Sequence, residues 1–471
     1  MTERTWLLKA PAYDGGVWSE QDFNIGYGKS IQEDTQTSRM QLVASTNEAE
    51  YLAYLAKLEK AGYTKIFENE INGNLHAEFL APEGTLYVYF IRKFKEVRVI
   101  EDRVSTPIDR FGYELPAGEG KDSTVIYQYG MMYVPKMEPG SFLREHQVGG
   151  MFYVIRLADS RLILIDGGWR SQATEKSVPE ALKFLYEVSG TPEGEKIKVA
   201  AVIITHPHGD HKQFVDDLIR DFGDYLDIER FCYNIASFQN IGGHNPTYPA
   251  FGAMLTEKYP NALFLKPHTG QSFMLGDMKV DVLFTHEDMV LADKAILPLK
   301  ECNNTTVVMK FTNHAKTFML LGDTCTETEN RDFKIKEAMR VEARFLGMYQ
   351  DAPGSYPTLK SDMVQVSHHA VNDRMGDYYY AIRAHYAMLP GPDMAWDDYP
   401  WSYWNRVVYQ LITSGAVEVL MGGRKTYWFE IHKDGEITID SEPIRGADDD
   451  YLEYLTTFRP FDIKEIPFWM E

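Results

Sequence analysis

One short segment of the chain concentrates the residue types that bind metal ions. Residues 205–211 read Thr-His-Pro-His-Gly-Asp-His, which places three imidazoles and one carboxylate within six positions. Neutral imidazole nitrogens suit borderline cations such as Zn²⁺, and carboxylate oxygens join them in many sites. The alternative is a histidine-rich turn without a ligand. We favour a metal-binding loop in which His206 and His208 hold one ion while Asp210 and His211 reach a second.

The residues around this loop predict the elements that must position it. The apolar segment 199–204 before the loop predicts a buried β-strand, and the apolar spacing of Phe214, Leu218 and Phe222 predicts an amphipathic helix after it. From residue 123 onward, buried-type strands alternate with amphipathic helices, and this order indicates an α/β layer architecture. A glycine-containing turn at the end of a strand would let alternate side chains converge on one point.

This strand–turn–helix segment resembles the HxHxDH motif of the metallo-β-lactamase superfamily. The resemblance covers roughly residues 149–440 and implies the four-layer αββα sandwich of that superfamily. The family's first motif is an Asp after an apolar strand, and Asp166 in 162–168 matches it; the implied role is to hold the HxHxDH loop rather than to bind metal. Asp323 in 318–324 matches the fourth motif, a carboxylate that bridges two cations.

The two remaining motifs of the family are histidines, and they are matched less closely. His368 and His369 end a late apolar strand; strand alternation would put them on opposite faces. The resemblance favours His368 as the metal ligand, and His369 either as a residue that orients a ligand or as a proton donor to the leaving group. For the third motif the candidate is His286, with His244 or no histidine as alternatives. His268 is interpreted as part of a surface turn.

Composition narrows the classes of function. The chain has 471 residues, 44% of them hydrophobic, and its 48 Lys and Arg against 69 Asp and Glu give a net charge of −21. Largely disordered proteins are excluded, and duplex nucleic acid and anionic membranes are disfavoured as partners. Three separated cysteines fit neither a disulfide scaffold nor a CxxC zinc site. Because the N-terminus is not signal-like and no long apolar run occurs, we expect a cytoplasmic protein. The acidic charge favours a small molecule as its substrate.

The chain is predicted to divide into three regions. Residues 1–115 form a small α+β domain, with a helix capped by Ser45 and a hairpin turn at Asn72-Gly73. Residues 123–445 form the hydrolase domain, and 446–471 an acidic and aromatic tail. The N-terminal domain is a candidate for a substrate lid or for a homo-oligomer contact.

The order of the motifs refines the resemblance. Asn303-Asn304 before an apolar strand, then Leu-Leu-Gly-Asp and a His pair, resemble the metallo-β-lactamase domain of bacterial competence (DNA-uptake) proteins; Ala370 departs from the glycine expected there. The resemblance implies a hydrolase with two divalent ions, Zn²⁺ first, with Mn²⁺ or Fe as alternatives. A metal-bound hydroxide would attack a phosphodiester or another small phosphoester, and Asp210 would orient it or accept the proton of the water from which it forms.

Two other functions stay open at this point. The substrate could be a lactone, thioester or carboxyester, which the same metal chemistry would hydrolyse. The chain could also be a catalytically silent binding protein that uses metal only for stability. A β-lactam is disfavoured, because class B β-lactamases commonly carry Cys where Asp323 stands and are exported.

Overall fold

The computed structural model describes residues 10–18, 38–81, 84–131, 150–235, 248–289, 302–324, 333–370, 376–390, 403–447, 449 and 452–453. These residues form a mixed α/β structure with three β-sheets, which confirms the predicted α/β class. Within the described residues, none of the helices has both the length and the apolar character needed to cross a bilayer. His244, Cys325 and most of the tail lie outside the described residues.

The N-terminal part of the chain forms a six-stranded antiparallel sheet with one helix packed on it. Its strands, in the spatial order β1-β2-β6-β5-β4-β3, are β1 (Val17–Trp18), β2 (Ser38–Ala44), β3 (Thr64–Ile71), β4 (Asn74–Ala81), β5 (Gly84–Ile91) and β6 (Glu96–Asp102). Helix α1 (Glu48–Lys60) buries Tyr51, Leu55 and Leu58 against this sheet. The prediction of Ser45 as the helix cap is wrong. Asn47 is the N-cap, because its side chain accepts the Glu50 N–H at 3.0 Å.

A second sheet has nine strands and carries the first half of the predicted metal-binding segments. Its strands are β8 (Ser123–Gln128), β9 (Phe152–Arg156), β10 (Leu162–Asp166), β11 (Ile197–Ile203), β12 (Leu226–Ile228), β13 (Arg230–Cys232), β14 (Leu263–Leu265), β22 (Lys425–His432) and β23 (Ile437–Pro443). Strands β10, β11, β13 and β14 run parallel. Helices α3 (Ser177–Ser189), α4 (Gln213–Phe222) and α5 (Tyr248–Lys258) pack on one face, sharing an apolar core with it.

The third sheet has eight strands and carries the second half. Its strands are β7 (Tyr113–Glu114), β15 (Ser272–Gly276), β16 (Met278–Phe284), β17 (Val308–Asn313), β18 (Lys316–Leu320), β19 (Met363–Gln365), β20 (Tyr386–Leu389) and β21 (Glu418–Met421). Strands β18 to β21 are parallel. The other helices are α2 (Ile108–Phe111), α6 (Phe333–Tyr349), α7 (Asp377–Ile382) and α8 (Tyr403–Ser414).

Packing between the sheets brings the ends of distant strands together. One apolar core contains Ile165 and Ile203 from the nine-stranded sheet together with Phe311 and Phe318 from the eight-stranded sheet, so these two sheets bury each other's inner faces. Burial of such side chains contributes roughly 1.5–3 kcal/mol each. Because β10 is parallel to β11 and β18 to β19, the carboxyl ends within each pair share one edge of their sheet. The segments that follow β11, β18 and β19 carry His206 to His211, Asp323 and the His368-His369 pair, and β10 ends in Asp166.

One strand from residues 1–115 belongs to the eight-stranded sheet. Strand β7, which the sequence assigned to residues 1–115, pairs in parallel with β15 of the eight-stranded sheet. The six-stranded sheet also packs on the rest of the chain, since Tyr87 and Tyr89 of β5 share an apolar core with Phe345 of α6. The N-terminal residues therefore contact the part of the chain that holds the candidate site.

Candidate metal centre

The loop that follows β11 is compact and buried. The strand ends at Ile203, a short 3₁₀ turn spans Gly209–His211, and α4 begins at Gln213. Gly209 is required by close packing, because a Cβ there would lie 2.9 Å from Cζ3 of Trp169 and from the Gln213 amide. His208 is half-buried, whereas His206, Asp210 and His211 are buried.

Four side chains from three loops meet in one group, which we call the four-donor group: Asp210, His211, Asp323 and His369. One ligand atom from each lies within 4.8 Å of all the others, and all four residues are buried. The Nε2 atom of His211 is 3.1 Å from Asp323 Oδ2 and 3.3 Å from His369 Nε2. Ligand atoms about 2.1 Å from a tetrahedral ion are roughly 3.4 Å apart, so these separations suit one bound cation.

A second set, the three-donor group, consists of His206, His208 and Asp323, with ligand atoms within the same 4.8 Å limit. Nε2 of His206 lies 3.6 Å from Oδ2 of Asp323. Asp323 therefore belongs to both groups, as a carboxylate that bridges two cations would. The shared negative charge offsets the repulsion between two such ions.

The donor set fits cations in a second respect. Nε2 of His206 is buried and has no hydrogen-bond partner among the described residues. Burial, with the neighbouring His211, holds the pKa of His206 well below its usual value, so its nitrogen lone pair is available. Burial alone would lower the pKa of His211, but the surrounding carboxylates, Asp323 first, raise it well above its usual value. The carboxylates thus favour positive charge at this point, which a metal ion would supply.

Asp166 holds the loop from behind. Its Oδ2 accepts from His211 Nδ1–H at 2.8 Å and from the Thr205 hydroxyl at 2.7 Å, and its Oδ1 accepts from the Thr205 N–H at 2.7 Å. With Nδ1 bonded in this way, Nε2 of His211 is directed at Asp323. These are the contacts expected of a residue that orients a ligand without itself binding the ion.

The histidine pair departs from the prediction. The strand ends at Gln365, and His368, His369 and Ala370 are all left-handed, with φ of 47°, 54° and 62°. Strand alternation is therefore the wrong rule here. Both imidazoles lie near Asp323 Oδ2, His368 Nε2 at 3.9 Å and His369 Nε2 at 3.8 Å. The structure brings His369, rather than His368, into the four-donor group.

His286, the candidate for the third motif, is in neither donor group. It begins a 3₁₀ turn, His286–Met289, after β16 and is buried. Burial lowers its pKa to about 4, partly offset by Glu287. The prediction that His268 lies in a surface turn is wrong: it is 2% exposed, its Nδ1 lies 2.9 Å from Glu287 Oε1, and its ring stacks on Tyr87.

Sequence reasoning did not find the residues that tie the ligand-bearing turns together. They are Thr306, whose hydroxyl accepts the Asp323 N–H, Tyr379, whose phenol oxygen accepts the Ser367 N–H, and the side chains of Gln365 and Ser367. No local pattern marks them, because each acts on a segment distant in the chain.

Comparison with known proteins finds similarity only at low sequence identity. No family model matches the chain, and no curated protein matches it in sequence. The metallo-β-lactamase fold protein YhfI from Bacillus subtilis is 14% identical, with a TM-score of 0.33 over 68% of this chain and 100% of that one. Human tRNase Z, short form, is 12% identical, with a TM-score of 0.27 over 63% and 91%. CmlA, a diiron β-hydroxylase from Streptomyces venezuelae, is 10% identical, with a TM-score of 0.30 over 80% and 77%.

At these identities and TM-scores, the proposed roles of the residues rest on the geometry of the site itself. None of them tests the resemblance to competence proteins, which stays a prediction.

Proposed function

We propose that this chain is a metal-dependent hydrolase whose centre holds two divalent cations. The observation that supports the proposal best is the position of Asp323 in both donor groups. Imidazole and carboxylate donors favour Zn²⁺, and Mn²⁺ or Fe remain the alternatives because affinity order alone does not decide occupancy. The proposed fold is the αββα sandwich, with residues 1–115 as an N-terminal α+β domain.

Each side chain of the centre has a distinct proposed task. His206 and His208 hold one cation, His211 and His369 the other, and Asp323 binds both. Divalent cations bound by these residues would supply a water of lowered pKa and would polarise a phosphoryl or carbonyl oxygen. Asp210, the remaining member of the four-donor group, would bind the same cation as His211 and His369 and would orient the attacking water by accepting its hydrogen bond.

The two histidines of the pair exchange the tasks that the sequence suggested for them. His369 is fully buried, 3.3 Å from Asp210 Oδ2 through its Nε2, and so is proposed as a metal ligand. His368 is 9% exposed and its Nε2 lies 3.9 Å from Asp323 Oδ2. Its position at the edge of the centre suits a proton donor to the leaving group.

The substrate class follows from the cations and from the charge of the protein. Two adjacent cations suit a phosphodiester or small phosphoester best, because they stabilise the attacking and leaving oxygens of an in-line displacement. A net charge of −21 opposes the approach of a long polyanion, so a small molecule is the proposed substrate. A lactone, thioester or carboxyester is the alternative substrate, and a silent metal-stabilised binder is the alternative function.

A substrate screen with two matched variants tests this proposal. The purified protein, loaded with Zn²⁺ or Mn²⁺, is assayed on chromogenic phosphodiesters, phosphomonoesters, lactones and thioesters. We expect phosphoester hydrolysis that Asp210→Asn lowers by 10²-fold or more, on the order of the effect of a positioned acid or base. Asp217→Asn is the control, because Asp217 is a buried carboxylate of α4 that pairs with Arg170 and belongs to neither donor group. Inertness of the loaded protein toward all four classes would favour the binding protein.

A further inference from the structure

Gln365 lies where the paired strands β18 and β19 separate into the turns that carry the ligands. The strand pairing ends at Met319 with Val364, so the backbone ladder stops one residue before Gln365. Its side chain is fully buried. Beyond this point one chain proceeds to Asp323 and the other to His368 and His369.

Beyond the end of the ladder, the side-chain amide of Gln365 forms hydrogen bonds with backbone groups through both its oxygen and its nitrogen. Its Oε1 accepts the Leu321 N–H at 2.8 Å. Its Nε2 donates to the Gly322 carbonyl at 2.9 Å and to the Val366 carbonyl at 2.6 Å. The side chain thus links the backbone on either side of the divergence, as a peptide group would in a continued ladder.

Two further bonds connect the same pair of turns. The hydroxyl of Ser367 donates to the Thr324 carbonyl at 2.7 Å, and the His368 N–H donates to the Gly322 carbonyl at 3.1 Å. The turn needs such support because three successive non-glycine residues, from His368 to Ala370, are left-handed. Each costs roughly 1–2 kcal/mol relative to a right-handed conformation. A backbone of this kind persists only when its surroundings fix it.

We propose that Gln365 and Ser367 are positioning residues that fix the spacing between Asp323 and His369 and thereby set the cation affinity of the four-donor group. Neither side chain needs to touch a metal ion, since the hydrogen bonds of both are made to backbone groups. The inference rests on the proposed function, because it requires that the four-donor group bind a cation. It predicts an unequal effect, because the four-donor group takes both Asp323 and His369 from these two turns, whereas the three-donor group takes only Asp323 from them.

Gln128 provides a matched control elsewhere in the same protein. It is also buried, and its Nε2 donates to two backbone carbonyls, those of Leu389 at 3.2 Å and Leu420 at 3.1 Å, while its Oε1 accepts the Tyr153 hydroxyl at 3.1 Å. Replacement of either glutamine by methionine removes the same kind of bonds at similar side-chain volume. Gln128 makes none of these bonds to the turns that carry the donors.

The experiment measures the affinities of the two proposed cation sites in the 471-residue chain, after a chelator has removed any metal bound during purification. Wild type, Gln365→Met, Ser367→Ala and Gln128→Met are titrated with Zn²⁺ against a chromogenic chelator, and with Co²⁺ while the visible absorption of the ion is recorded. We expect Gln365→Met to weaken one of two affinities by 10–100-fold, and to weaken the other, which shares only Asp323 with these turns, by a smaller factor. Ser367→Ala should weaken the same affinity by about fivefold, the effect of one hydrogen bond. Gln128→Met should change neither affinity nor the Co²⁺ spectrum.

The outcomes separate this inference from the function on which it rests. If Gln365→Met is too unstable to purify, Ser367→Ala carries the test, since it removes a single hydroxyl. A wild-type chain that binds two ions while both turn variants keep wild-type affinities and Co²⁺ spectra overturns the inference alone. An equal loss of affinity in Gln128→Met and Gln365→Met also overturns it, because the effect would then be general destabilisation. A wild-type chain that binds neither metal overturns the proposed function and this inference with it.

Discussion

Asp166→Asn is the substitution whose effect on the centre can be worked out most fully. Oδ2 of Asp166 accepts from His211 Nδ1–H and from the Thr205 hydroxyl, and Oδ1 accepts from the Thr205 N–H. The amide of Asn has an oxygen that accepts hydrogen bonds and an NH₂ group that only donates them. In one orientation its NH₂ faces the Thr205 N–H; in the other it faces His211. The first leaves a buried donor unsatisfied, at a cost of about 1–3 kcal/mol.

The second orientation changes the metal-binding atom itself. An NH₂ opposite Nδ1 of His211 favours the tautomer that carries its proton on Nε2, the atom that lies 3.1 Å from Asp323 Oδ2. That tautomer has no lone pair at the position from which His211 would bind a cation. Loss of such an orienting partner typically costs 10–100-fold in metal affinity. We therefore expect Asp166→Asn to weaken cation binding in the four-donor group by that factor.

Two assays and a control separate this effect from ordinary destabilisation. Zn²⁺ affinity is measured by chelator competition, and the free energy of unfolding of the metal-free protein by urea denaturation. Asp277→Asn is the control: Asp277 is a half-buried carboxylate that accepts from the Ala158 N–H at 3.0 Å and from the Asn313 amide at 2.8 Å, outside both donor groups. It should lower stability and leave affinity unchanged. Equal Zn²⁺ affinities in the two variants would refute the reasoning about His211.

Three further predictions follow from other parts of the structure. Removal of metal with a chelator should lower the free energy of unfolding by about 3 kcal/mol for each bound ion whose starting metal concentration is near one hundred times its dissociation constant. Thermal denaturation with and without Zn²⁺ checks this. Burial raises the pKa of Glu78 to about 7, so between the usual glutamate pKa and pH 7 the native state keeps a proton that the unfolded state has lost. The free energy of unfolding should therefore fall by up to about 3 kcal/mol as the pH rises through this range. Urea denaturation at a series of pH values measures this fall, and Glu78→Gln should remove most of it. Arg383 caps α7 with φ of 52°, so Arg383→Gly should stabilise the protein by about 0.5–1 kcal/mol in urea denaturation, whereas Arg383→Ala should not.

The parts of the site that depend on neighbouring residues were predictable from the sequence. The loop with His206, His208, Asp210 and His211 follows a buried strand and precedes a helix, as its own apolar spacing indicates. The α/β class follows from the same alternation of strands and helices. In these segments the local pattern and the packing of the whole chain favour the same structure.

The errors arose where distant contacts decide the local structure. Strand β19 ends early because Gln365 and Ser367 bind backbone groups of residues 321–324, so alternation does not extend to the His pair. His268 is buried because Tyr87 of the N-terminal sheet stacks on it at 5.0 Å between ring centroids. Such contacts join residues far apart in the chain, and no local pattern encodes them.

The number of ions bound per chain tests most directly whether Asp323 joins two cation sites. The full-length protein and Asp323→Asn are dialysed against Zn²⁺, and bound metal is measured by elemental analysis. We expect two ions per wild-type chain, and loss or strong weakening of both in Asp323→Asn, because the carboxylate belongs to both donor groups. Two ions retained at wild-type affinity in Asp323→Asn, or no ion in the wild-type protein, would contradict this expectation.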